Sequence, residues 1–354
     1  MYRTRVSLGR LSPARDKLLK IDGLGKKGKK GGSMVARRLV FRYTRYDAIP
    51  ALCAAGHLAL VLVSWLAFQT SPAWALGLAF GAVVFCYCWN VQSISHNFIH
   101  NPFFTNEWWN RAFSVLESVA IGIPQTIYHH YHMNHHWGDN DAKGPDGTTR
   151  DWGSTYRHGK GSQPEAFWSY CLIGFFRFEL RPCFRMILRY GPRHVVLLLA
   201  ESLVLGALWL TLLLTNWRFL LYFYVPSYYL GWALVYAHTY FLHYGARPGD
   251  YYANSVSSYH RLYNWLFFNN GFHQEHHWDP KVHWTKMLQV REEIRPQMMI
   301  HKTRVLRGPH ITVFLEDWLN RGKKTRHEAT TQPNPRAIGS QTQDLAKPDL
   351  KRAA

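Results

Sequence analysis

The sequence predicts an all-α integral membrane protein: four transmembrane helices in two hairpins, with a cytosolic helical cap. Three observations predict it. No Lys or Arg occurs between Asp47 and Asn110. Between Arg193 and Arg247 the only cation is Arg218. Three histidine clusters lie beside these apolar blocks. The mean hydropathy of −0.24 hides this segregation, because very polar stretches alternate with apolar ones.

Crossing a bilayer takes about 20 apolar residues, so each cation-poor block holds two passages. The first block gives spans at 49–68 and 73–90, separated by residues 69–72. The second gives spans at 195–214 and 219–242, separated by residues 215–218. Lys and Arg stay on the cytoplasmic side. Of 42 cations only Arg218 falls in a hairpin turn, so both turns are expected outside. Both termini and all three clusters then face the cytoplasm, with a bacterial inner membrane as the expected setting.

Residues 1–45 read as a basic flexible arm, 46–320 as the membrane domain and 321–354 as a disordered tail. The first 45 residues are too charged for the apolar core of a secretory signal. The formal charge of +20 is accounted for by the positive-inside bias and an anionic lipid surface, so no nucleic-acid partner is expected. The run Lys26-Lys27-Gly28-Lys29-Lys30 fits a lipid-attracted arm. Cysteines at 53, 86, 88, 171 and 183 form no CxxC pair, and nothing suggests a disulfide framework.

Between the two blocks, residues 112–127 are apolar but short, interrupted by Glu117 and Pro124. They read as one interfacial or re-entrant helix that brings the second cluster back under the membrane. Residues 139–151 form a polar loop, and the aromatic-rich 167–178 suits the membrane interface. Glu201, inside the third span, is costly in lipid; it is either functional or snorkels to the nearby edge.

The clusters read His96-Asn97-Phe98-Ile99-His100, His132-Met133-Asn134-His135-His136 and His273-Gln274-Glu275-His276-His277. Residues three and four apart share one helix face, so each cluster presents its imidazoles to one side. Imidazole nitrogen suits iron, zinc, copper or nickel. Eight such ligands exceed the four of a closed structural zinc site and suffice for two ions with positions left open. The Glu-x-x-His pattern of ferritin-like sites is absent, so the donors are nearly all neutral. A site at the membrane border reaches a lipid-dissolved chain and a cytoplasmic electron source together. Attack on an unactivated C–H bond needs a redox metal and oxygen, which favours iron, although ligand type alone also admits zinc or manganese.

The stretches Ser95-His96 to His100-Asn101-Pro102, Tyr131-His132 to His136 and Asn269-Asn270-Gly271-Phe272-His273 to His277 resemble the membrane-bound fatty acid desaturase family, with its hydroxylase and ketolase relatives. The resemblance covers roughly residues 46–300. It implies an oxygen-dependent di-iron oxidoreductase with two iron ions, O2 as co-substrate, four spans and a cytosolic cap. It also implies a further ligand at the end of the fourth span, carried here to His243 in His243-Tyr244-Gly245-Ala246-Arg247-Pro248-Gly249-Asp250. His238, five residues earlier, lies about 140° round the helix and is the weaker candidate.

The expected ligands are therefore His96, His100, His132, His135, His136, His243, His273, His276 and His277, with no separate general acid or base. His129 can substitute or support, while His57 and His260 read as packed and loop residues. Ligating histidines pass their other N–H to a carboxylate or carbonyl; of Asp139, Asp141 and Asp279, which follow clusters closely, one or two are expected to accept it, and the alternative is that they cap loops. Glu275 points away from the metals.

The leading expectation is introduction of a double bond into a fatty acyl chain. The alternative is hydroxylation, ketone formation or oxidative decarboxylation of an acyl, alkane or carotenoid substrate at the same site. No haem, flavin or iron–sulfur domain is apparent, so electrons are expected from a separate ferredoxin-like or haem protein with its reductase. A metal transporter is the rival from another class, but transporters coordinate near the bilayer midplane on broken helices, whereas these clusters sit at the span ends.

Overall fold

A cap precedes the first helix: the Thr44 hydroxyl accepts from Tyr46 N while the Asp47 carboxylate accepts from Thr44 N. The computed structural model describes residues 40–324. Residues 1–39 of the arm, including the Lys26–Lys30 run, and 325–354 of the tail lie outside the described residues.

Helix α1 (Ala48–Ala67) has 20 residues, which at 1.5 Å each span about 30 Å, the thickness of a hydrocarbon core. Helix α2 (Ala73–Trp89) passes through a π-helical turn (Asn90–Ser95) directly into α3 (His96–His100). Helix α4 (Glu107–Ile121) is capped by the Asn106 side chain, and α5 (Gln125–Gly138) follows.

The single helix expected over 112–127 is thus two. Gly122 takes φ +74, where an added Cβ would collide with the Tyr228 ring, and Pro124 has no N–H to continue the ladder. Ile127 consequently belongs to α5.

Then come α6 (Phe167–Ile173), α7 (Leu180–Tyr190) and α8 (Pro192–Phe219). A second π-helical turn (Leu220–Tyr224) leads into α9 (Val225–His243). The cap is completed by α10 (Arg261–Leu266), α11 (His273–Trp278), α12 (Met287–Ile300) and α13 (Val313–Lys324). The chain is not wholly helical: strands β1 (Ser257–Ser258) and β2 (Val305–Leu306) pair in parallel, Ser257 with Val305 and Ser258 with Leu306.

Among the described residues three helical stretches are long and apolar enough to cross a membrane: Arg45–Ala67, Ala73–His100 and Pro192–His243. The third breaks within itself. Asn216 leaves helical geometry (φ −155, ψ 71), and its side-chain oxygen accepts from Phe219 N at 3.0 Å, so one residue ends a helix and caps the next. The Trp209 ring lies 5.5 Å from that of Tyr224 and 5.9 Å from that of Tyr228, so the chain folds back on itself there.

Only 17–28% of the apolar windows is buried inside the protein. Leu52, Leu66, Leu78, Leu203 and Leu214 point outward, well exposed, as a lipid-facing surface requires and an aqueous one disfavours. Glu201 is an exception with a reason. It neither snorkels nor stands alone, because it is fully buried and accepts from Ser114 Oγ at 2.6 Å and Thr126 N at 2.9 Å. One carboxyl thereby ties α8 to α4 and α5.

Helices α9 and α2 form the closest pair. Gly231 lies against Tyr87, and a Cβ there would collide with the tyrosine Cβ; small residues permit such approach in membranes. Gly231→Ala is expected to cost about 1–3 kcal/mol by overpacking, read as a lowered thermal midpoint in detergent. An unchanged midpoint would show that the pair relaxes freely.

Candidate metal centre

The π-helical turn and α3 aim His96 and His100 inward, the last residue of α9 supplies His243, and α5 and α11 supply the rest. Two groups result. His96, His100, His132, His136 and His276 converge in one; His135, His243, His273 and His277 converge in the other. The clusters do not each serve one side as their spacing suggested. On α5, His132 and His136 face the first group, while His135 turns to the second. On α11, His273 and His277 face the second group and His276 the first. Three residues turn a helix by about 300° and four by about 400°, so one helix face is wide enough to feed both groups.

The ring nitrogens meet head to head. In the first group Nε2–Nε2 distances are 2.7 Å for His96–His276, 3.0 Å for His100–His132, and 2.9 Å for both His132–His136 and His136–His276. In the second they are 3.0 Å for His135–His243 and 3.2 Å for His243–His273. Each ring nitrogen either donates one proton or accepts at one lone pair. His276 Nε2 faces two others and cannot satisfy both, nor can His132, His136 or His243.

The outer nitrogens settle which form the second group takes. His135 Nδ1 lies 2.7 Å from Asp151 Oδ2, His277 Nδ1 3.2 Å from Asp139 Oδ1, and His243 Nδ1 3.1 Å from the Asn254 carbonyl. These oxygens only accept, so Nδ1 carries the proton and Nε2 turns a lone pair inward, as second-shell partners of ligating histidines do. His277 Nε2 is buried with no partner. Inward lone pairs crowded together repel unless a cation lies among them. Nitrogens about 2.1 Å from a common centre at right angles lie about 3.0 Å apart, which is the spacing observed. The residues present therefore fit a metal ion in each group.

Burial and the surrounding imidazoles hold His132, His136, His273, His276 and His277 well below the ordinary histidine pKa. At His135 burial also pulls down, but the Asp151 carboxylate prevails and the pKa is raised. Outside both groups, burial takes His310 down to about 4.

A pH dependence follows. Unfolded histidine titrates near about 6.5, so below that the unfolded chain binds more protons than the native one and stability falls with pH. His135 alone opposes this, favouring the native state below about 6.5 and losing that contribution as pH rises through its raised value. The lowered groups outnumber it. The metal-free protein is expected to lose thermal stability steadily from about pH 7 to about pH 5, measured in detergent; a midpoint rising on acidification would contradict the assignment.

The remaining sequence candidates lie elsewhere. Glu275 accepts from Ser257 Oγ at 2.6 Å and Tyr259 Oη at 2.7 Å, away from the nitrogens. Asp141 binds Arg150, and Asp279 caps Lys281 N, so neither orients a ligand. His129 and His238 belong to neither group; His238 Nε2 pairs with Tyr263 Oη at 2.7 Å. His57 contacts Asn90 Nδ2 at 3.4 Å, edge-on to Tyr87. His260 caps α10 through Tyr263 N.

The residue that sequence reasoning missed is Asp151. It is fully buried and also accepts from Asn140 N at 3.0 Å and Gly153 N at 2.7 Å. The polar loop was visible, but only its first two acids lay close enough to a cluster to draw notice.

A cavity between the π-helical turn Asn90–Ser95, α5 and α9 reaches the nitrogens. His96, His132, His135, His243 and His273 line one part of its wall, and Val91, Tyr128, Trp232, Val235 and Leu242 line much of the rest.

The family described as fatty acid desaturase matches residues 69–307. Over 243 residues the chain is 28% identical to a sphingolipid delta(4)-desaturase of Schizosaccharomyces pombe, covering 65% of this chain and 62% of that protein. It is 27% identical over 233 residues to a sphingolipid delta(4)-desaturase/C4-monooxygenase of Rattus norvegicus, covering 63% of this chain and 66% of the relative. A relative in Oryza sativa subsp. japonica, a sphingolipid delta(4)-desaturase, is 26% identical over 202 residues, 56% of this chain and 57% of its own. The chain spans less than two thirds of the length of each.

Proposed function

This chain belongs to the fatty acid desaturase family, and on that premise we propose that it is an oxygen-dependent di-iron membrane oxidoreductase that introduces a double bond into the hydrocarbon chain of a lipid. The observation that carries this reading is the pair of histidine groups at the end of a largely apolar cavity. The relatives' names favour a sphingolipid as the lipid.

Helices α1, α2, α8 and α9 are the four spans in this reading, with the 69–72 and 215–218 turns outside and the histidines at the cytoplasmic border. The nine histidines hold the two irons. Iron bound there supplies the redox chemistry by which O2, two external electrons and two protons take two hydrogens from adjacent carbons and leave two waters. Asp151, Asp139 and the Asn254 carbonyl keep His135, His277 and His243 in one tautomer and orientation. The apolar wall holds the chain in a fixed pose and keeps bulk water from the reacting carbons. Electrons come from a separate donor protein.

A second reading is hydroxylation at the same site, favoured by the double name of the rat relative, desaturase and C4-monooxygenase. One experiment tests both. The purified iron-loaded protein is given O2, an electron donor and a panel of acyl and sphingoid lipids, and products are read by mass spectrometry. Loss of two hydrogens supports desaturation, and gain of one oxygen supports hydroxylation. Neither product from any lipid, with iron retained, rejects the proposal.

A further inference from the structure

Among the polar groups of the cavity wall that the site above leaves unused is a side-chain amide. Gln92 sits in the π-helical turn ahead of His96, buried, and lines the cavity together with Thr239. Its Nε2 lies 3.0 Å from the Val235 carbonyl and 2.8 Å from Thr239 Oγ1. The Thr239 hydroxyl donates its own proton to Val235 O at 3.0 Å, so toward Gln92 it offers a lone pair. Both neighbours are acceptors, which forces the NH2 of the side-chain amide toward them. The carbonyl oxygen, Oε1, is turned the other way, and among the described residues no donor reaches it.

Histidines, tyrosines and Thr239 also line this cavity, but Gln92 adds an amide whose oxygen takes no hydrogen bond from the described residues, and an acceptor left without a donor away from bulk water is costly. The local backbone also carries a cost, because π-helical turns are rare inside helices and gather at functional sites. One turn after Gln92 the same helix delivers His96 to the first group, so Gln92 and histidines of both groups line one cavity.

We propose that Gln92 Oε1 is a specificity-determining acceptor for a hydroxyl or amide N–H that the lipid carries a few carbon atoms from its reacting carbon. Gln92 fixes the position of the chain along the cavity, with Thr239 and Val235 locking its amide. The substrate class is thereby narrowed from any long hydrocarbon chain to one bearing a hydrogen-bond donor near the site of reaction. This rests on the reading of the cavity as the lipid site, and it is testable without turnover.

The measurement is equilibrium binding to the iron-free protein in detergent micelles. Two probes of equal chain length are compared: a lipid with a hydroxyl and an amide N–H at its head, and a fatty acid ester lacking both. The wild type is expected to favour the first by on the order of 10- to 100-fold. In Gln92→Leu the ratio should fall close to one, chiefly through weaker binding of the donor-bearing lipid. Because the readout is a ratio on one protein, general misfolding would lower both affinities without mimicking it. Thr239→Val keeps Gln92 but frees its amide to rotate, and should lower the ratio several-fold.

Equal affinity for both probes in the wild type, or an unchanged ratio in Gln92→Leu, overturns the proposal. A large ratio in a protein that oxidises no lipid would sustain it while rejecting the desaturase reading. Turnover with no preference between donor-bearing and donor-free chains would do the reverse.

Discussion

His135→Ala is expected to lower bound iron from two ions per chain to one and to reduce product formation by more than about 100-fold, beyond the loss usual for an outer-shell partner. The second group has four nitrogens, and this change leaves three. It also removes one of the three N–H donors of Asp151, a fully buried carboxylate that lies 2.7 Å from His135 Nδ1, and losing the partner of a buried charge is destabilising. His276→Ala acts on the group of five and leaves four nitrogens. It is expected to abolish product formation equally while retaining more of the metal. Iron content by elemental analysis, with product formation on the same preparation, checks both. Two irons and full activity in His135→Ala would remove the basis for the proposed function.

Asp151→Asn should produce the second-largest effect without touching a ligand. The aspartate accepts three N–H groups through two oxygens. Asparagine keeps one oxygen and sets an NH2 against donors. His135 then loses the acceptor that holds its proton on Nδ1, and the tautomer with the proton on Nε2 points a hydrogen at the metal position. A 10- to 100-fold loss of iron affinity is expected from such a change. The iron-free protein should be destabilised as well, by roughly 1–3 kcal/mol for each donor left unpaired. Asp139→Asn is the control. That carboxylate is one-third exposed and lies 3.2 Å from His277, so solvent takes over its role and the loss is smaller. Equal effects from both substitutions would show that burial of Asp151 is not what matters.

The sequence carries the helices and the clusters well because both depend on spacing. Cation-free runs of span length lie where α1, α2, α8 and α9 form, and residues 215–218 mark the reversal at Asn216. The histidines at intervals of three and four are the ones that α3, α5 and α11 turn inward. Long-range partners are less visible. Asp151 reaches His135 because the 139–151 loop folds back after left-handed residues at Asp139 and Asn140, and no local pattern records that return. Asn254 contributes a backbone carbonyl, which any residue possesses. The π-helical turn at Asn90–Ser95 is a shift in hydrogen-bond register with no compositional mark. Glu201 looked anomalous in its span because its partners, Ser114 and Thr126, lie on other helices.

The third cluster has a consequence for how the protein is made. His276 belongs to one group, and His273 and His277 to the other, so the segment that closes both leaves the ribosome after every other ligand. His276 lies 180 residues after His96, to which it docks. Until that segment is synthesised, the second group holds only His135 and His243, half of its nitrogens. Loading of the full complement is therefore a late event in biogenesis, and a nascent chain truncated before His273 should emerge unable to retain a pair of ions.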